Sequence, residues 1–307
     1  MEEAAARIAP HARRTPVLEL APGELGVDAP VVLKLELLQH AGSFKARGAL
    51  NALLSGPVPA AGVIAASGGN HGLAVAWAAR RLGHPAEVFV PTIASPTKLE
   101  RLRGTGARVS VTGRDYAEAL EASRARAKET GARAIHAYDQ PEVLAGQGTL
   151  ARELEAQAGR LDTVLVAVGG GGLLGGLLAW WEERLRVVAV EPEAAPTLQH
   201  ALQAGAPVDA PVGGIAADSL GARRVGELAF ALARRCLYES LLVSDEAIAA
   251  AQGALWRELR IAAEPGGAAA LAALLSGAYR PAPGERVGVI VCGGNVDLGA
   301  LAARTGS

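Results

Sequence analysis

The segment HAGSFKARGAL (residues 40–50) contains a lysine in a chain that otherwise relies on arginine for positive charge. Lys45 is one of four lysines, with Lys34, Lys98 and Lys128, among 30 basic residues. Arginine keeps its proton in any protein, whereas a lysine amine can lose its proton and attack a carbonyl carbon. A single lysine is more often a solvated surface charge. The residues around Lys45 must therefore decide between the two interpretations.

A second chemical feature is the glycine-rich stretch GGGGLLGG (169–176), which follows an apolar strand pattern and opens a helix. Glycines let the backbone approach a ligand closely, and free N–H groups at a helix start bind phosphate. Four consecutive glycines exceed what a tight turn needs, so the loop predicts a phosphate site. Gly170, Gly172 and Gly175 also fit the dinucleotide pattern, with Glu191 placed as a ribose-binding acid. An NAD-binding oxidoreductase therefore stays an alternative.

Two further loops carry polar side chains at the ends of predicted strands. The loop SGGNHG offers the hydroxyl of Ser67, the amide of Asn70 and the imidazole of His71 beside backbone N–H groups. Such a set could hold a carboxylate, although a capped helix start explains it equally well. The loop CGGN places Cys292 at the end of the last predicted strand, where a lone cysteine is usually a small buried apolar residue.

Composition limits the classes of protein that this chain can represent. A length of 307 residues predicts two domains or one large α/β unit. A net charge of −1 and a pI near 6.6 imply no basic face for nucleic acid. Two cysteines, Cys236 and Cys292, exclude a disulfide framework and lack zinc spacing, which favours a reducing cytoplasm. The N-terminus has no signal-peptide pattern, and no apolar run approaches the roughly 18 residues of a membrane span.

Apolar runs alternate with amphipathic stretches almost from end to end of the chain. The runs predicted as strands are VVLKLEL (31–37), GVIAAS (62–67), AEVFV (86–90), ARVSV (107–111), DTVLVAV (162–168), RVVAVE (186–191) and RVGVIVC (286–292). Their continuous apolar character is typical of parallel strands covered on both faces. Helices are predicted between them, with Ser95 and Ser244 as N-caps of two. The alternation predicts an α/β fold with mainly parallel sheets and helices on both faces.

Taken together, these loops resemble those of the serine/threonine dehydratase branch of the fold type II pyridoxal-phosphate (PLP) enzymes, which includes serine racemase. The motifs that carry the resemblance occur in order along nearly the whole chain. They are RTP (14–16), GSFKARGA (42–49), SGGNHG (67–72), AGQGT (145–149), GGGGLLGG (169–176), VEPEAA (190–195), DSLG (218–221), EPGGA (264–268) and CGGN (292–295). One glycine loop alone would be weak support, but the ordered set is specific. The resemblance implies a two-domain, tryptophan synthase β-like fold.

The resemblance also assigns roles at a PLP site. The cofactor residues that it implies are Lys45 as the Schiff-base lysine, Phe44 against the ring, Asn70 at the phenolic oxygen, Gly169, Gly170, Gly171, Gly172 and Leu173 at the phosphate, and Cys292 at the pyridine nitrogen. The substrate carboxylate would be held by Ser67, Asn70 and His71, with Ser219 nearby. A neutral thiol at the ring nitrogen weakens the electron sink, so the β-substituent should leave with the Cα proton or soon afterwards.

The implied activity is an ammonia-lyase reaction, in which Lys45 removes the Cα proton and L-threonine or L-serine becomes a 2-oxo acid and ammonia. Serine racemases have a second serine where this chain has Gly68, so elimination is favoured over racemisation. Cysteine synthases usually have threonine at the position of His71, which disfavours β-replacement. An amino-acid racemase and a 3-hydroxyaspartate dehydratase stay alternatives. His136, Tyr138 and Asp139 are candidates, by position only, for contacting the substrate side chain.

The resemblance further implies a cation site and an architecture. Glu191 and the Ala195 carbonyl match the cation ligands of relatives, and Thr197 replaces a second acidic residue, so a monovalent cation is expected rather than a divalent one. A large PLP-binding domain is expected from residues 1–56 and 144–307, with a small domain inserted at 57–143 and the cofactor in the cleft. We expect a cytoplasmic homodimer or homotetramer that acts on an amino acid, without a membrane or nucleic-acid partner and without the regulatory domain of biosynthetic threonine deaminases.

Overall fold

The computed structural model describes residues 1–94 and 96–305. The strands in this part of the chain are β1 (Val17–Leu20), β2 (Val31–Lys34), β3 (Val63–Ala66), β4 (Ala86–Val90), β5 (Arg108–Val111), β6 (Arg133–Ala134), β7 (Thr163–Ala167), β8 (Arg186–Pro192), β9 (Glu239–Val243) and β10 (Val287–Ile290). The helices are α1 (Glu2–Ile8), α2 (Lys45–Leu54), α3 (Asn70–Arg81), α4 (Pro96–Gly104), α5 (Tyr116–Thr130), α6 (Pro141–Ala158), α7 (Gly172–Trp181), α8 (Thr197–Ala204), α9 (Ala217–Leu220), α10 (Glu227–Cys236), α11 (Asp245–Leu259), α12 (Pro265–Leu275) and α13 (Leu298–Thr305).

Two sheets organise these elements. The larger sheet has the order β1-β2-β10-β7-β8-β9, and all its strands are parallel except β1, which runs antiparallel to β2. The smaller sheet has the order β5-β4-β3-β6 and is wholly parallel. Its four strands follow one another between residues 63 and 134, so in the sequence they lie between β2 and β7 of the larger sheet. The predicted insertion at 57–143 contains them all, and its boundaries stay a prediction.

The predicted α/β class is confirmed, and each of the seven predicted strands is present. Three strands were not predicted, and each lacks the continuous apolar signal. β1 (VLEL) and β9 (ESLLV) lie at the edges of the larger sheet and contain polar residues that break the apolar run, while β6 has only two residues. β2 is shorter than predicted because the chain turns into a 3-10 helix at Glu36. The Glu36 carboxylate is buried and belongs to the ionic network described below.

Helix starts follow local capping chemistry. The hydroxyl oxygen of Ser244 accepts a hydrogen bond from Ala247 N at 3.2 Å, which confirms this predicted cap of α11. The other predicted cap, Ser95, lies outside the described residues. Within the described ranges, no helix combines the length and apolar character that would be needed to span a bilayer.

A buried ionic network joins the N-terminal segment, β2, α2 and α6. The Arg47 guanidinium donates to both carboxylate oxygens of Glu36 at 2.7 Å and to Glu153 at 3.0 and 3.1 Å. Lys34 Nζ donates to Glu153 at 2.6 Å and to Thr15 O at 2.7 Å. Arg47 is 2 % exposed and Lys34 and Glu36 are fully buried. The network therefore anchors α2 two residues after Lys45.

This network predicts a large loss of stability for Arg47→Met. Removing the guanidinium leaves the Glu36 carboxylate buried without its cation, which should lower the free energy of unfolding by about 3–5 kcal/mol. Arg152→Met is the matched control, because Arg152 pairs with Glu2 on the surface and such pairs contribute below about 1 kcal/mol. Urea unfolding of the cofactor-free proteins measures both. Equal unfolding midpoints for the two variants would contradict the prediction.

Candidate active site

The loop before Lys45 is held by the loop that follows β10. Phe44 N donates to Cys292 O at 3.1 Å, and Gly294 N donates to Gly42 O at 2.9 Å. Ser43 pairs with Gly293 as an isolated antiparallel bridge. Since β2 and β10 are neighbouring parallel strands, both loops lie at the same sheet edge, and their pairing places the start of α2 beside Cys292.

Gly42 is required at this junction for conformational and steric reasons. Its φ of +73° lies in the left-handed region that side chains rarely adopt. A Cβ at Gly42 would also lie 2.5 Å from Oδ1 of Asn295. The close approach of the two loops therefore depends on a glycine just before the candidate catalytic lysine.

Lys45 is the first residue of α2, and its amine is enclosed by the protein. Its Nζ donates a hydrogen bond to Ala137 O at 2.7 Å and lies 5.2 Å from the ring centroid of Phe44. Burial lowers the pKa of Lys45 to about 8, and the nearby Cys292 and Glu264 oppose this shift. A free amine is therefore accessible near neutral pH, as nucleophilic or base chemistry requires.

Cys292 lies beside this amine as a neutral thiol. Burial raises the thiol pKa far above its usual range, and the carboxylate of Glu264 adds to the shift. Its Sγ lies 3.4 Å from Gly266 O, to which it donates a weak hydrogen bond. This protonation state agrees with the neutral thiol that the family resemblance implies at the pyridine nitrogen of PLP. The contact between Cys292 and that nitrogen stays a prediction.

The SGGNHG loop follows β3 and opens α3. The Ser67 hydroxyl accepts from Gly69 N at 3.2 Å, which tightens the loop. His71 is buried, and its Nε2 lies 3.0 Å from Ile135 O. Burial, with the Lys45 charge as a further cause, lowers the pKa of His71 to about 3. The imidazole is therefore neutral, so it can offer a substrate carboxylate a dipole but no positive charge.

Ser219 and Asn70 both form hydrogen bonds with α12 or with its N-cap residue. The Ser219 hydroxyl accepts from Gly266 N in the first turn of α12 at 3.1 Å. Asn70 Nδ2 donates to Oε1 of Glu264, the N-cap of α12, at 2.5 Å. The predicted substrate-binding residues Ser67, Asn70, His71 and Ser219 therefore come from two loops, and their contacts with a substrate stay predictions.

The glycine loop forms an anion cradle at the start of α7. The backbone N–H groups of residues 169–173 donate to no other residue in the described ranges. The first N–H groups of a helix lack partners within it and attract anions. The loop packs under Tyr138, because a Cβ at Gly170 would lie 2.2 Å from the Tyr138 ring and one at Gly172 would lie 2.8 Å from Tyr138 Cβ. The unpaired donors fit a phosphate group, while the contact with Tyr138 requires glycine at positions 170 and 172.

The residues present fit PLP as a cofactor. A half-buried lysine whose amine has a lowered pKa suits its aldehyde, and the unpaired N–H groups suit its phosphate. Ser43 Oγ, buried next to Phe44, makes no hydrogen bond to another described residue, so a polar group remains to be satisfied. The chain thus supplies a nucleophile, an anion cradle and a neutral thiol within one site.

The carboxylate of Glu191 is already engaged by the protein. It is fully buried, and its two oxygens accept from Leu198 N at 2.6 Å and Gln199 N at 2.9 Å in α8. Burial raises its pKa to about 7, while these bonds oppose the shift. A dinucleotide ribose would need an accessible acid at the end of β8, which Glu191 does not provide. The cation site at Glu191 and Ala195 stays a prediction, and no cluster of three His, Cys, Asp or Glu side chains able to hold a metal occurs in the described parts of the chain.

Two residues at the centre of the site had no role in the sequence interpretation. Glu264 and Asn295 belong to the motifs EPGGA and CGGN, so their location was signalled. Their partners were not, because both contact Asn70, more than 190 residues away. Lys98 and Arg101 of α4 also line the cavity that contains Asn70 and Glu264, and no pattern in the sequence indicated this.

A lysine at a helix start, facing a neutral thiol and accompanied by a glycine-rich phosphate cradle, defines a PLP-binding enzyme. Residues 8–293 match the family model described as pyridoxal-phosphate dependent enzyme, and the chain belongs to that family. It is 37 % identical to an L-threonine ammonia-lyase of Geobacter sulfurreducens over 97 % of this chain and 75 % of the relative. It is also 37 % identical to a phenylserine dehydratase of Ralstonia pickettii, over 98 % and 94 % of the two chains.

The solved structure of maize serine racemase superposes with a TM-score of 0.91 at 34 % identity, covering 98 % of this chain and 94 % of that one. The expected family, fold and PLP-dependent enzyme are thereby confirmed, and the relatives support lyase chemistry. They act on different amino acids, so identity at this level leaves the substrate to a proposal.

We predict that Lys45→Ala abolishes the visible absorbance of the PLP-loaded protein, because the amine with the lowered pKa that is placed to capture the cofactor is removed. Lys128→Ala, on the exposed face of α5, should retain the full absorbance. Absorbance spectra after PLP addition and desalting test the pair. Retention of the visible band by Lys45→Ala would show that another amine captures the cofactor.

The lowered pKa of Lys45 predicts the pH dependence of cofactor capture. Only the free amine attacks an aldehyde, so the capture rate should rise with pH and level off above about 8. An ordinary lysine with a pKa of 10.5 would instead give a rate that keeps rising through pH 10. Stopped-flow absorbance after mixing the cofactor-free protein with PLP measures the profile.

Proposed function

We propose that the protein is an ammonia-lyase that converts L-threonine, L-serine or both to a 2-oxo acid and ammonia. The observation that carries the proposal is the enclosed amine of Lys45, whose pKa of about 8 suits a general base. Bound PLP supplies an electron sink for the electrons of the broken Cα–H bond. The ammonia-lyase and dehydratase relatives support the same reaction class.

Proton and electron movements in this reaction balance around Lys45. The Lys45 amine accepts the Cα proton, and the electrons of that bond form a Cα=Cβ double bond. The Cβ–O bond breaks, and the leaving hydroxyl takes up the proton that Lys45 has accepted and departs as water. Hydrolysis of the released enamine then gives the 2-oxo acid and ammonia, so no oxidant or second substrate is needed. The substrate carboxylate is proposed to be held by Ser67, Asn70, His71 and Ser219. Lys45 meanwhile removes the proton from Cα.

Gly68 supports elimination over racemisation. Racemisation needs an acid on the face of Cα opposite the lysine, and a glycine supplies none. Packing does not impose this glycine, because a Cβ built at Gly68 would meet nothing nearer than Val90 Cγ1 at 3.7 Å. Its φ also lies outside the left-handed region, so a side chain is allowed there. A serine could be accommodated, and the chain nevertheless lacks one.

Gly68→Ser should therefore fold normally and gain racemase activity on serine. A positioned acid raises such a rate on the order of a hundredfold. Gly68→Ala is the matched control, since it adds the same Cβ without a hydroxyl. Chiral chromatography of serine incubated with each PLP-loaded variant measures the D-isomer. Equal D-serine formation by the two variants would argue against a hydroxyl at this position as the missing acid.

A 3-hydroxyaspartate ammonia-lyase is the second candidate, and one observation favours it. Lys98 and Arg101 of α4 line the same cavity as Gly68, Gly69 and Asn70, so positive charge lies near the loop proposed for the substrate. Lys98 Nζ already bonds Asp218 at 2.7 Å, and Arg101 donates to Asn295 O at 3.4 Å. A substrate with a second carboxylate would compete for these cations.

A coupled oxo-acid assay over serine, threonine and 3-hydroxyaspartate, in both configurations, decides between the candidates. We expect kcat/KM to be highest for L-threonine or L-serine, with Lys45→Ala as the inactive control. If hydroxyaspartate is preferred and Arg101→Gln selectively raises its KM, the second candidate replaces the first. Absence of ammonia release from every substrate of the panel would contradict both.

We also propose a monovalent cation at Glu191 and the Ala195 carbonyl, a homodimer or homotetramer, a cytoplasmic location, and the domain boundaries 57 and 143. The family resemblance supports these four proposals. Thermal unfolding in potassium against tetramethylammonium chloride tests the cation, with Glu191→Gln as the variant that should lose the difference. Light scattering gives the oligomeric state.

A further inference from the structure

A hydrogen-bonded triad of side chains lies behind the candidate cofactor site. Asn70 at the start of α3, Glu264 at the N-cap of α12 and Asn295 after β10 come from three separate segments. Asn70 Nδ2 donates to Glu264 Oε1 at 2.5 Å, and Asn70 Oδ1 accepts from Asn295 Nδ2 at 2.7 Å. Both ends of the Asn70 amide are therefore held by the protein itself.

Asn295 and Glu264 are themselves fixed in position. Asn295 Nδ2 donates a second hydrogen bond to Ala41 O at 2.8 Å, so both of its amide hydrogens are used. Glu264 N donates to Gly293 O at 3.1 Å. The carboxylate lies so close to the loop after β10 that a Cβ at Gly293 would be 1.9 Å from Glu264 Oε1. Glu264 is only 6 % exposed. Burying a carboxylate costs free energy unless it is paired or hydrogen-bonded.

These contacts determine what Asn70 can offer to a ligand. Its two Nδ2 hydrogens are donors, and one is directed to Glu264. Its Oδ1 is directed to Asn295, which can only donate through Nδ2. The remaining Nδ2 hydrogen is a donor, so Asn70 favours an ionised oxygen over a hydroxyl that needs an acceptor. A phenolic oxygen of a pyridoxal ring, when ionised, is such an acceptor.

We propose that Glu264, with Asn295, is the positioning residue that holds Asn70 as a hydrogen-bond donor toward the ionised ring oxygen of PLP. This inference rests on the proposed role of Lys45 and Asn70 at the cofactor. It assigns Glu264 no contact with substrate and no proton transfer.

The charges around Glu264 fit this role. Lys45 of α2 and Cys292 after β10 both respond to its charge, which opposes the lowering of the Lys45 pKa. Burial raises the pKa of Glu264 to about 7. The Asn70 hydrogen bond, Arg101 of α4 and the Asn295 N–H oppose that shift, while Asp218 of α9 adds to it. Glu264 therefore passes from neutral to charged across the pH range in which an enzyme works.

The charge of Glu264 determines how the affinity for PLP depends on pH. Above about pH 7 the carboxylate is charged, so it accepts strongly from Asn70 and keeps the donor oriented. Below that pH it is protonated, and its bond to Asn70 weakens. PLP affinity should therefore be high above pH 7 and fall below it, and the visible spectrum of the bound cofactor should change over the same interval.

Three variants distinguish the positioning of Asn70 by Glu264 from the effect of the Glu264 charge. Glu264→Gln keeps an oxygen acceptor for Asn70 but cannot titrate, Glu264→Ala removes both functions, and Glu258→Gln on the exposed side of α11 is the control. Equilibrium binding of PLP is measured by dialysis on the cofactor-free proteins, all in a Lys45→Ala background so that titration of the Lys45 amine does not contribute, between pH 5.5 and about 9, the interval that contains the expected transition near 7. Thermal unfolding without PLP shows whether each variant folds.

At pH 8 we expect Glu264→Ala to raise the Kd for PLP about tenfold and Glu264→Gln to stay within about threefold of the Lys45→Ala protein with Glu264 intact, where tenfold corresponds to about 1.4 kcal/mol. Glu264→Gln should lose the transition near pH 7, and Glu258→Gln should keep it. The inference is overturned if Glu264→Gln retains the transition, or if Glu264→Ala folds and binds PLP as tightly as the control. If Glu264→Ala does not fold, the pH profile of Glu264→Gln still decides.

Failure of the proposed function gives a different pattern. If no amino acid releases ammonia but the Glu264 variants alter PLP affinity and its pH dependence as described, the positioning role stands and the proposed reaction falls. If Lys45→Ala binds PLP with an unchanged spectrum, the cofactor is not held at Lys45, and both proposals fail together.

Discussion

The pairing of two loops at one end of the larger sheet is the constraint on which the site depends. The backbone bonds from Phe44 to Cys292 and from Gly294 to Gly42 join a loop near the start of the chain to one near its end. They are possible because β2 and β10 are parallel neighbours, and because Gly42 leaves room for Asn295. Without this pairing, Lys45 would face neither Cys292 nor the residues that orient Asn70.

Buried ionisable groups serve two opposite purposes in this molecule. Arg47 and Lys34 have carboxylate partners at hydrogen-bond distance, so their charges are compensated and the helix α2 is anchored. Burial lowers the pKa of Lys34 as well, but Lys34 bonds a carboxylate, whereas among the described residues the Lys45 amine, two residues before Arg47, hydrogen-bonds a carbonyl and has a pKa lowered to about 8. Rigid support beside an uncompensated amine is an arrangement suited to catalysis, because the paired charges supply the stability that the reactive lysine does not.

The smaller sheet contributes to the site from the other side of the cavity. Asn70 and His71 begin α3 directly after β3, while Arg101 of α4 reaches the loop after β10 and Lys98 reaches Asp218. The groups proposed to face the substrate therefore come from both sheets. The two sheets are coupled at the site, because Lys45 Nζ bonds Ala137 O in the segment that follows β6, and α2 shares a buried core cluster with β3 and α3.

Local sequence was sufficient for the α/β class, the seven apolar strands, the Ser244 cap and the glycine cradle, because each depends on residues close together in the chain. Lys45 was singled out by its neighbours Ser43 and Phe44 and by the order of distant motifs. The edge strands β1 and β9 were missed because half-exposed strands carry a mixed pattern. Only the tertiary structure decided the partners of Asn70 and Glu264, and which lysine is paired with a carboxylate. Those outcomes depend on burial and on contacts between residues more than 100 positions apart, as in Lys34 with Glu153 or Asn70 with Glu264. No local pattern encodes such distances.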